Sequence, residues 1–442
     1  MARVELSDEQ RRAIYGAGSV IVRASAGSGK TEVLAQRFVA LLAGDIEGRA
    51  AMAPEAIAAI TYTEKAAADM RRRIAEVLDA RIADESNVPR RMRLVRARRS
   101  LGLARLSTIH AFCGRILREY PFEAGLNPGF EILDEPESTT FIEHECRAML
   151  VDFVRRKNPA ARRLVRARGL SGGAWREGAV AIAIRLVRDL ERLGYPPSWL
   201  IDKAAATAAR LEACGAEVPD RAAIVVKLVD ELTRIAGIPG KAGDQLEKLC
   251  AQWPELRPAI AAIDAESDFE QFAMLDVLKA LLPAAQNKII KETVQAIAGI
   301  KNEGGAIEQL RDAYGAGRAA GVTRTTAELI SELAVHLDAR RRAENVATFD
   351  DLLVRCRNLL RADPTIAGRY RSELSALLVD EYQDVDPIQD EIVALLTEGG
   401  APEPELFMVG DEKQSIYRFR GADVAVFNRA RDSAPAPTPL QH

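Results

Sequence analysis

The chain has 442 residues, 48% of them apolar, and this length and composition predict more than one domain with substantial buried cores. Its 61 basic and 64 acidic residues give a net charge of −3, so any site for a polyanion must be a local patch. The five cysteines show no C-x-x-C or metal-ligand spacing, and no segment resembles a signal peptide or a membrane span. These features predict a soluble cytoplasmic protein that does not bind a membrane.

The first predicted helix opens with Ser7 and includes Gln10. Serine at the N-cap and glutamine three residues later fit a capping box. The same amide is suited to adenine, since Asn and Gln pair with the N6 and N7 edge of that base. On its own the pattern favours the cap, whereas a neighbouring phosphate site favours adenine recognition.

A glycine-rich segment links the apolar strand 20–22 to a helix with apolar residues at helical spacing. The segment reads Ala24-Ser25-Ala26-Gly27-Ser28-Gly29-Lys30-Thr31. Small residues let backbone N–H groups surround an anion, and the helix N-terminus attracts negative charge. Lys30 is expected to reach the β- and γ-phosphates of a nucleoside triphosphate and Thr31 to bind Mg²⁺. The alternative is an ordinary glycine turn, and one departure is that Ala24 stands where the first glycine is usual.

A second apolar strand, 57–60, runs into hydroxyl-bearing and aromatic residues, namely Thr61, Tyr62 and Thr63. Threonine hydroxyls can bond phosphates, and a tyrosine ring offers a surface on which a base can stack. These three residues are therefore candidates for nucleic-acid contact. The alternative is a plain connection between a strand and a helix.

A third short strand, 106–108, leads to His110. No partner is spaced to make this histidine a metal ligand, so we predict a hydrogen-bond donor on the same nucleic-acid surface. Two arginine-rich runs lie nearby in sequence, within 90–99 and 155–168. Such runs are typical of solvated helix faces, and phosphate contact is the alternative.

Residues of about 134–345 show one helical pattern after another without a catalytic constellation. An apolar strand, 376–379, then ends in Asp380 and Glu381. In a chain that carries a phosphate loop, Asp380 would complete the Mg²⁺ shell. Glu381 would act as the general base that polarises the attacking water.

The last predicted strand, 406–409, precedes a second candidate segment. Gln414 is placed to sense the γ-phosphate or its water. Tyr417, Phe419 and Arg420 follow, and rings interleaved with cations suit single-stranded nucleic acid. One segment could thus contact both nucleotide and strand.

The predicted fold is α/β, a parallel sheet with helices on both faces, built from 1–110 and 345–432. A helical insertion, 111–344, interrupts it, and the Pro/Ala tail 433–442 is expected to be disordered. Right-handed crossovers should bring Lys30 and Asp380 side by side at one edge of the sheet.

These motifs, in this order, resemble the N-terminal half of a superfamily 1 DNA helicase of the UvrD/Rep/PcrA type. The resemblance covers about residues 6–125 and 345–430 and is closest in character to the AddA and RecB motors of recombinational break repair. It implies a RecA-like core that uses ATP and Mg²⁺ to move 3′ to 5′ and unwind DNA. It also implies single-stranded or duplex-end DNA as substrate. The implied partner is a second motor-domain polypeptide or a protein like AddB or RecC.

Two residues depart from the smaller members of that family. Glu32 replaces an arginine that packs by the adenine, and Glu64 replaces an asparagine at a DNA contact. The family's second motor domain would begin after Asp432, where this chain continues into its Pro/Ala tail. Two functions therefore stay open: an ATP-dependent helicase that acts with a second motor domain, or a nucleotide- and DNA-binding module with little ATPase activity.

Overall fold

The computed structural model describes residues 6–24, 29–173, 176–216, 221–236, 238, 245–261, 278–283, 288–298, 305–400, 403–411 and 438–440. The chain divides into two compact units. Unit 1 comprises Met1–Ile142, Glu191–Gly194 and Leu337–His442, and unit 2 comprises Glu143–Leu190 and Tyr195–His336.

The main sheet of unit 1 has six strands in the order β10-β1-β9-β8-β2-β3, and every neighbouring pair is parallel. Two further sheets have two strands each, β4 with β7 and β5 with β6. The strands are β1 (Val20–Ala24), β2 (Ile57–Thr61), β3 (Arg105–Thr108), β4 (Glu131–Ile132), β5 (Gly172–Gly173), β6 (Arg176–Glu177), β7 (Val346–Ala347), β8 (Ala376–Val379), β9 (Glu405–Gly410) and β10 (Thr438–Leu440).

Helices account for most of the remaining described structure. They are α1 (Asp8–Tyr15), α2 (Lys30–Ala43), α3 (Glu64–Asp84), α4 (Val88–Arg99), α5 (Ile109–Glu119), α6 (Glu135–Arg155), α7 (Pro159–Arg168), α8 (Ala179–Leu193), α9 (Pro197–Ala216), α10 (Arg221–Ala236), α11 (Gln245–Ala261), α12 (Lys288–Ala298), α13 (Ala306–Glu344), α14 (Phe349–Ala362), α15 (Pro364–Glu373) and α16 (Pro387–Thr397).

Both faces of the main sheet are covered because side chains alternate along each strand. In β8, Leu377 and Val379 belong to one hydrophobic core, whereas Ala376 and Leu378 belong to another. Helices α5, α14, α15 and α16 close the first core, and α1 to α4 close the second. The predicted α/β fold class, a parallel sheet with helices on both faces, is confirmed.

The first part of unit 1 extends further along the chain than the first segment of the predicted core, which ended at residue 110. Helix α5 belongs to unit 1 because its apolar stripe, including Phe112, Ile116 and Leu117, packs into the core with Leu352 and Leu359 of α14. The first boundary between the units therefore falls after Ile142, and the last falls before Leu337.

The tail differs from its sequence-based expectation at residues 438–440. These residues form β10, a parallel edge strand in which Thr438 lies opposite Val22 and Leu440 lies opposite Ala24. The edge of β1 offers backbone N–H and C=O groups for pairing. Pro439 has no N–H group, and proline is tolerated on an edge strand. Disorder is thus not what the structure shows for these three residues.

Unit 2 consists mainly of helices, as predicted for the insertion. One hydrophobic core in this unit gathers Leu228 and Leu232 of α10, Leu249 of α11 and Ile290 of α12. Among the described residues, no helix combines the length and the apolarity needed to cross a membrane.

Candidate nucleotide-binding site

The predicted phosphate loop connects β1 to α2. Residues 25–28, which include Ser25, Ala26, Gly27 and Ser28, lie outside the described residues. Ala24 ends β1, and Lys30 begins α2. Gly29 between them has a φ of 77°, in the left-handed region that glycine adopts without a steric cost. The site therefore lies at the carboxyl end of a parallel strand and at a helix N-terminus, the arrangement that favours phosphate binding.

Lys30 and the acidic pair after β8 meet at this edge of the sheet. The Nζ atom of Lys30 lies 2.6 Å from Oε2 of Glu381. The backbone N–H of Glu381 donates to Oδ1 of Asp380 at 3.0 Å. Strand β9 stands between β1 and β8, so the contact spans one intervening strand. The structure thus brings together Lys30 and the two carboxylates, which lie about 350 positions apart in the sequence.

Burial dominates the electrostatics of Asp380. It raises the pKa of this carboxyl to about 6, the charge of Glu381 acts in the same direction, and Lys30 opposes both. A divalent cation would favour the ionised carboxylate. Asp380 supplies carboxylate oxygens, and Thr31 carries a hydroxyl on an exposed residue at the start of α2. Such hard oxygen donors are the ligands that Mg²⁺ prefers, so these residues fit that ion.

Glu381 has a backbone conformation that is rare for a residue with a side chain. Its φ of 50° and ψ of 44° place it in the left-handed region. Such conformations persist where the surrounding structure fixes them, and they cluster at active sites. The turn is fixed on its far side by the short 3₁₀ helix Tyr382–Asp384.

Gln383 is a site residue to which the sequence alone assigned no role. Its side chain is 1% exposed. Its Nε2 donates to Oε2 of Glu381 at 2.8 Å, and its Oε1 accepts from the backbone N–H of Asp411 at 2.9 Å. Gln383 thereby links the turn after β8 to the residue that follows β9. No local sequence pattern signals this link, because Asp411 lies 28 positions from Gln383 and comes next to it only when β9 pairs with β8.

Helix α1 carries Gln10 toward the same edge. The capping box is present: Ser7 Oγ accepts from the Gln10 N–H at 3.2 Å, and Gln10 Oε1 accepts from the Ser7 N–H at 2.9 Å. A β-carbon placed on Gly29 would lie 3.9 Å from Nε2 of Gln10. The structural role of Gln10 is thus observed, and its amide also lies close to the start of α2.

Arg37 of α2 is a second residue that sequence reasoning missed. Its side chain is 1% exposed, and its guanidinium donates to the carbonyls of Ile14 at 2.9 Å and Gly16 at 2.5 Å. It also donates to Oε2 of Glu405 at 2.9 Å. These bonds fix the C-terminal end of α1 against α2 and β9.

The two threonines predicted to contact nucleic acid, Thr61 and Thr63, lie at the end of β2 and just after it, and Thr108 ends the neighbouring strand β3. Thr61 Oγ1 donates to the Thr63 carbonyl at 3.1 Å, and Thr63 Oγ1 accepts from the Ala66 N–H at 3.1 Å. The Thr108 hydroxyl donates to Oε1 of Glu64 at 2.9 Å. These are the bonds of ordinary strand–helix connections, so the structural alternative accounts for both predicted threonines.

Rings accompany these threonines. Tyr62 is half-buried, and burial lowers the pKa of His110 to about 4, so its imidazole is neutral at pH 7. The ring of Phe349 meets His110 edge to face, with centroids 5.7 Å apart, and is 44% exposed. The sequence analysis assigned no role to Phe349, because its neighbour His110 lies 239 positions away in the sequence.

Some of the other predicted residues are hydrogen-bonded or ion-paired to protein groups, and the rest lie outside the described residues. Glu32 accepts from Gln36 at 2.8 Å and pairs with Arg73, so its carboxylate is engaged with α2 and α3. Within the first arginine run, Arg98 pairs with Asp79 at 2.8 Å, which is typical of a solvated helix face. Gln414, Tyr417, Phe419 and Arg420 lie outside the described residues.

Residues 6–435 match the family model described as the UvrD/REP helicase N-terminal domain. This chain belongs to that family. The resemblance to UvrD-type helicases that the motifs indicated is therefore confirmed. The family match spans both segments of the α/β core and the helical insertion between them.

Similar proteins include three that bear the name AddA, the A component of an ATP-dependent helicase/nuclease. The protein of Geobacillus kaustophilus is 28% identical over 465 residues, covering 95% of this chain and 36% of the relative. That of Moorella thermoacetica is 28% identical over 457 residues, covering 92% of this chain and 31% of the relative. That of Desulforudis audaxviator is 29% identical over 472 residues, covering 92% and 35%. The chain thus spans about a third of the length of the relatives it matches.

Proposed function

We propose that this chain is the ATP-binding first motor domain of an ATP-dependent DNA helicase of the AddA type. The observation that carries the proposal is the contact between Lys30 Nζ and Glu381 Oε2 at 2.6 Å. It joins the residue that would bind phosphates to the carboxylate that would activate water. The family match and the names of the relatives support the same assignment.

Each residue at the strand ends has a distinct role in this proposal. The Lys30 ammonium binds the β- and γ-phosphates, and Thr31 and Asp380 hold Mg²⁺. Bound Mg²⁺ would supply positive charge that stabilises the negative charge developing during phosphoryl transfer. Glu381 orients the attacking water and accepts its proton. When Lys30 binds the triphosphate, its ammonium would interact with phosphate oxygens and so would weaken its ion pair with Glu381.

The base and the γ-phosphate have separate sensors. Gln10 recognises adenine through its amide, because a carbonyl oxygen with two lone pairs can keep the Ser7 bond and accept a second one. Gln414 senses the γ-phosphate or its water. Ser25, Ala26, Gly27 and Ser28 surround the phosphates with backbone N–H groups.

DNA would cross the neighbouring strand ends. Tyr62 stacks on a base, Thr61, Thr63 and His110 bond the sugar–phosphate backbone, and the segment with Tyr417, Phe419 and Arg420 supplies further rings and a cation. Movement is 3′ to 5′ along single-stranded or duplex-end DNA, in double-strand break repair and recombination in the cytoplasm. The partners are a second motor domain and a protein like AddB or RecC.

Two variants at the central contact test the proposal. Lys30→Ala should weaken ATP binding, because it removes the phosphate-binding ammonium. Glu381→Gln should leave binding largely intact and slow hydrolysis by about 10²–10⁴-fold, the usual contribution of a general base. Binding is measured with a fluorescent ATP analogue, and hydrolysis with labelled ATP under an excess of protein, with and without single-stranded DNA.

The outcomes separate the open functions. Hydrolysis by the unaltered chain that Glu381→Gln suppresses supports the helicase motor. Binding of ATP and DNA without measurable hydrolysis would instead favour the binding module. If the Glu381→Gln variant hydrolyses ATP at the wild-type rate, Glu381 is not the general base and the proposed mechanism is wrong.

A further inference from the structure

We propose that Gln383 is a positioning residue, which holds the Glu381 carboxylate in place relative to the carboxyl end of β9. The inference rests on the proposed function, because it concerns how the general base is oriented. Gln383 would touch neither nucleotide nor water. It would act through Glu381.

Only one orientation of the Gln383 amide satisfies its partners, which are the Asp411 N–H, the Glu381 carboxylate and, at 3.4 Å, Oδ2 of Asp384. The backbone N–H of Asp411 is a donor and needs the carbonyl Oε1, which lies 2.9 Å away. The Glu381 carboxylate is an acceptor when ionised and needs the Nε2–H group, whose nitrogen lies 2.8 Å from Oε2. Reversing the amide would place the Nε2–H donor against the Asp411 N–H donor and the Oε1 acceptor against the Glu381 carboxylate. The bond from the Asp411 N–H thus determines that the Nε2–H group of Gln383 is the one that meets Glu381.

Among the described residues, the Glu381 carboxylate is contacted by side chains at one oxygen. Oε2 of Glu381 accepts from Gln383 and also lies 2.6 Å from Nζ of Lys30. Lys30 has to bind the phosphates in the proposed mechanism, whereas Gln383 bonds only protein groups in the described contacts, namely Glu381, Asp411 and, at 3.4 Å, Oδ2 of Asp384. Gln383 would therefore keep Oε2 fixed when Lys30 turns to the nucleotide, which would leave Oε1 for the attacking water.

Burial makes the link stiff. Gln383 is 1% exposed, so neither bond can be replaced by bulk water without opening the turn after β8. The left-handed backbone of Glu381 restricts the same turn. A displacement of Asp411 at the end of β9 would then shift the carboxylate directly, and a misplacement of about 1 Å can cost about 10²-fold in rate.

Two variants with different chemistry test the role. Gln383→Glu keeps an acceptor for the Asp411 N–H and loses the donor to Glu381. Gln383→Met removes both bonds at similar volume and adds no buried charge. We expect both to slow single-turnover ATP hydrolysis by about 10- to 100-fold, the usual effect of losing an outer hydrogen-bond partner. The affinity for a fluorescent ATP analogue should change by no more than about threefold, since Gln383 contacts no phosphate in this scheme.

Gln36→Glu is the matched control. Gln36 Nε2 donates to Oε1 of Glu32 at 2.8 Å, so this change breaks the same kind of amide–carboxylate bond and adds the same charge in the same unit. It should hydrolyse ATP at nearly the wild-type rate. A second measurement repeats Gln383→Met in a Glu381→Gln background, where the further loss should vanish because the two residues act as one unit.

Three results would overturn the inference. They are hydrolysis at the wild-type rate by Gln383→Met, a parallel loss of rate and nucleotide affinity in the Gln383 variants, or an equal loss of rate in Gln36→Glu. Normal hydrolysis by Gln383→Met together with slow hydrolysis by Glu381→Gln would reject this inference alone. Normal hydrolysis by Glu381→Gln would instead reject the proposed function.

Discussion

Replacing Arg37 should destabilise unit 1 more than replacing a solvent-exposed arginine on a helix. Its guanidinium is buried between the carbonyls of Ile14 and Gly16, Glu405 and the ring of Phe407, whose centroid lies 5.4 Å from the guanidinium carbon. Arg37→Met fills similar volume but leaves the carbonyls without this donor and the carboxylate without one partner. Glu405 is itself only 3% exposed.

The expected cost follows from that burial. Removing one member of a buried, hydrogen-bonded ion pair costs about 3–5 kcal/mol, because the other charge stays buried. Arg49 provides a matched control, since its Nε lies 2.7 Å from the other oxygen of Glu405 while its side chain is 44% exposed. Arg49→Met should cost at most about 1 kcal/mol, the range of exposed ion pairs.

Urea unfolding measures both variants. All three tryptophans, Trp175, Trp199 and Trp253, belong to unit 2, so fluorescence follows unit 2 while far-ultraviolet circular dichroism follows both units. Arg37→Met should lower the dichroism transition assigned to unit 1. Adding Glu405→Gln should recover part of the loss, because it removes the stranded charge. A difference between Arg37→Met and Arg49→Met of less than about 1 kcal/mol would refute the assignment of a buried, stabilising pair.

Two further predictions concern DNA and turnover. Binding of single-stranded DNA should weaken as salt rises, because binding by basic side chains releases counterions from the DNA. Tyr62→Ala should lose about 1–3 kcal/mol of DNA-binding free energy, the contribution of one stacked base. Fluorescence anisotropy of labelled single-stranded DNA measures both effects, and Tyr195→Ala in unit 2 is the control. The 442-residue polypeptide alone should hydrolyse ATP slowly and fail to unwind a duplex, because the family resemblance assigns an arginine finger worth about 10³–10⁵ in rate to a second motor domain. Robust unwinding that Lys30→Ala abolishes would contradict the second prediction.

The sequence predicted the features that depend on local periodicity and chain order. Buried strands were recognisable as apolar runs, and helix α3 buries Met70, Ile74 and Leu78 at the expected spacing. Because parallel strands align their carboxyl ends, strand recognition was enough to place Lys30 near Asp380 and Glu381. The central contact of the site was thus accessible from sequence.

The missed residues depend on partners that local patterns do not indicate. An arginine on a helix is normally solvated, and nothing near Arg37 shows that Glu405, 368 positions away, lies opposite it. Gln383 meets Asp411 only because β8 and β9 are neighbours in the sheet. Which strands pair, and which side chains then meet, is a property of the whole fold, so these links required the structure.

Gln10 combines a structural and a proposed recognition role, and two changes separate them. Gln10→Glu retains an acceptor for the Ser7 N–H, as capping boxes allow, so stability should hold. It removes the N–H donor to adenine, and a bidentate pair contributes about 1–3 kcal/mol of base discrimination. The ratio of ATP affinity to inorganic tripolyphosphate affinity should therefore fall by about 5- to 150-fold, and the effect of the added charge on the phosphates largely cancels from this ratio because both ligands carry three phosphates. Ser7→Ala should do the reverse, costing about 0.5–2 kcal/mol of stability at an unchanged ratio. An unchanged ratio in Gln10→Glu would leave Gln10 with its capping role alone.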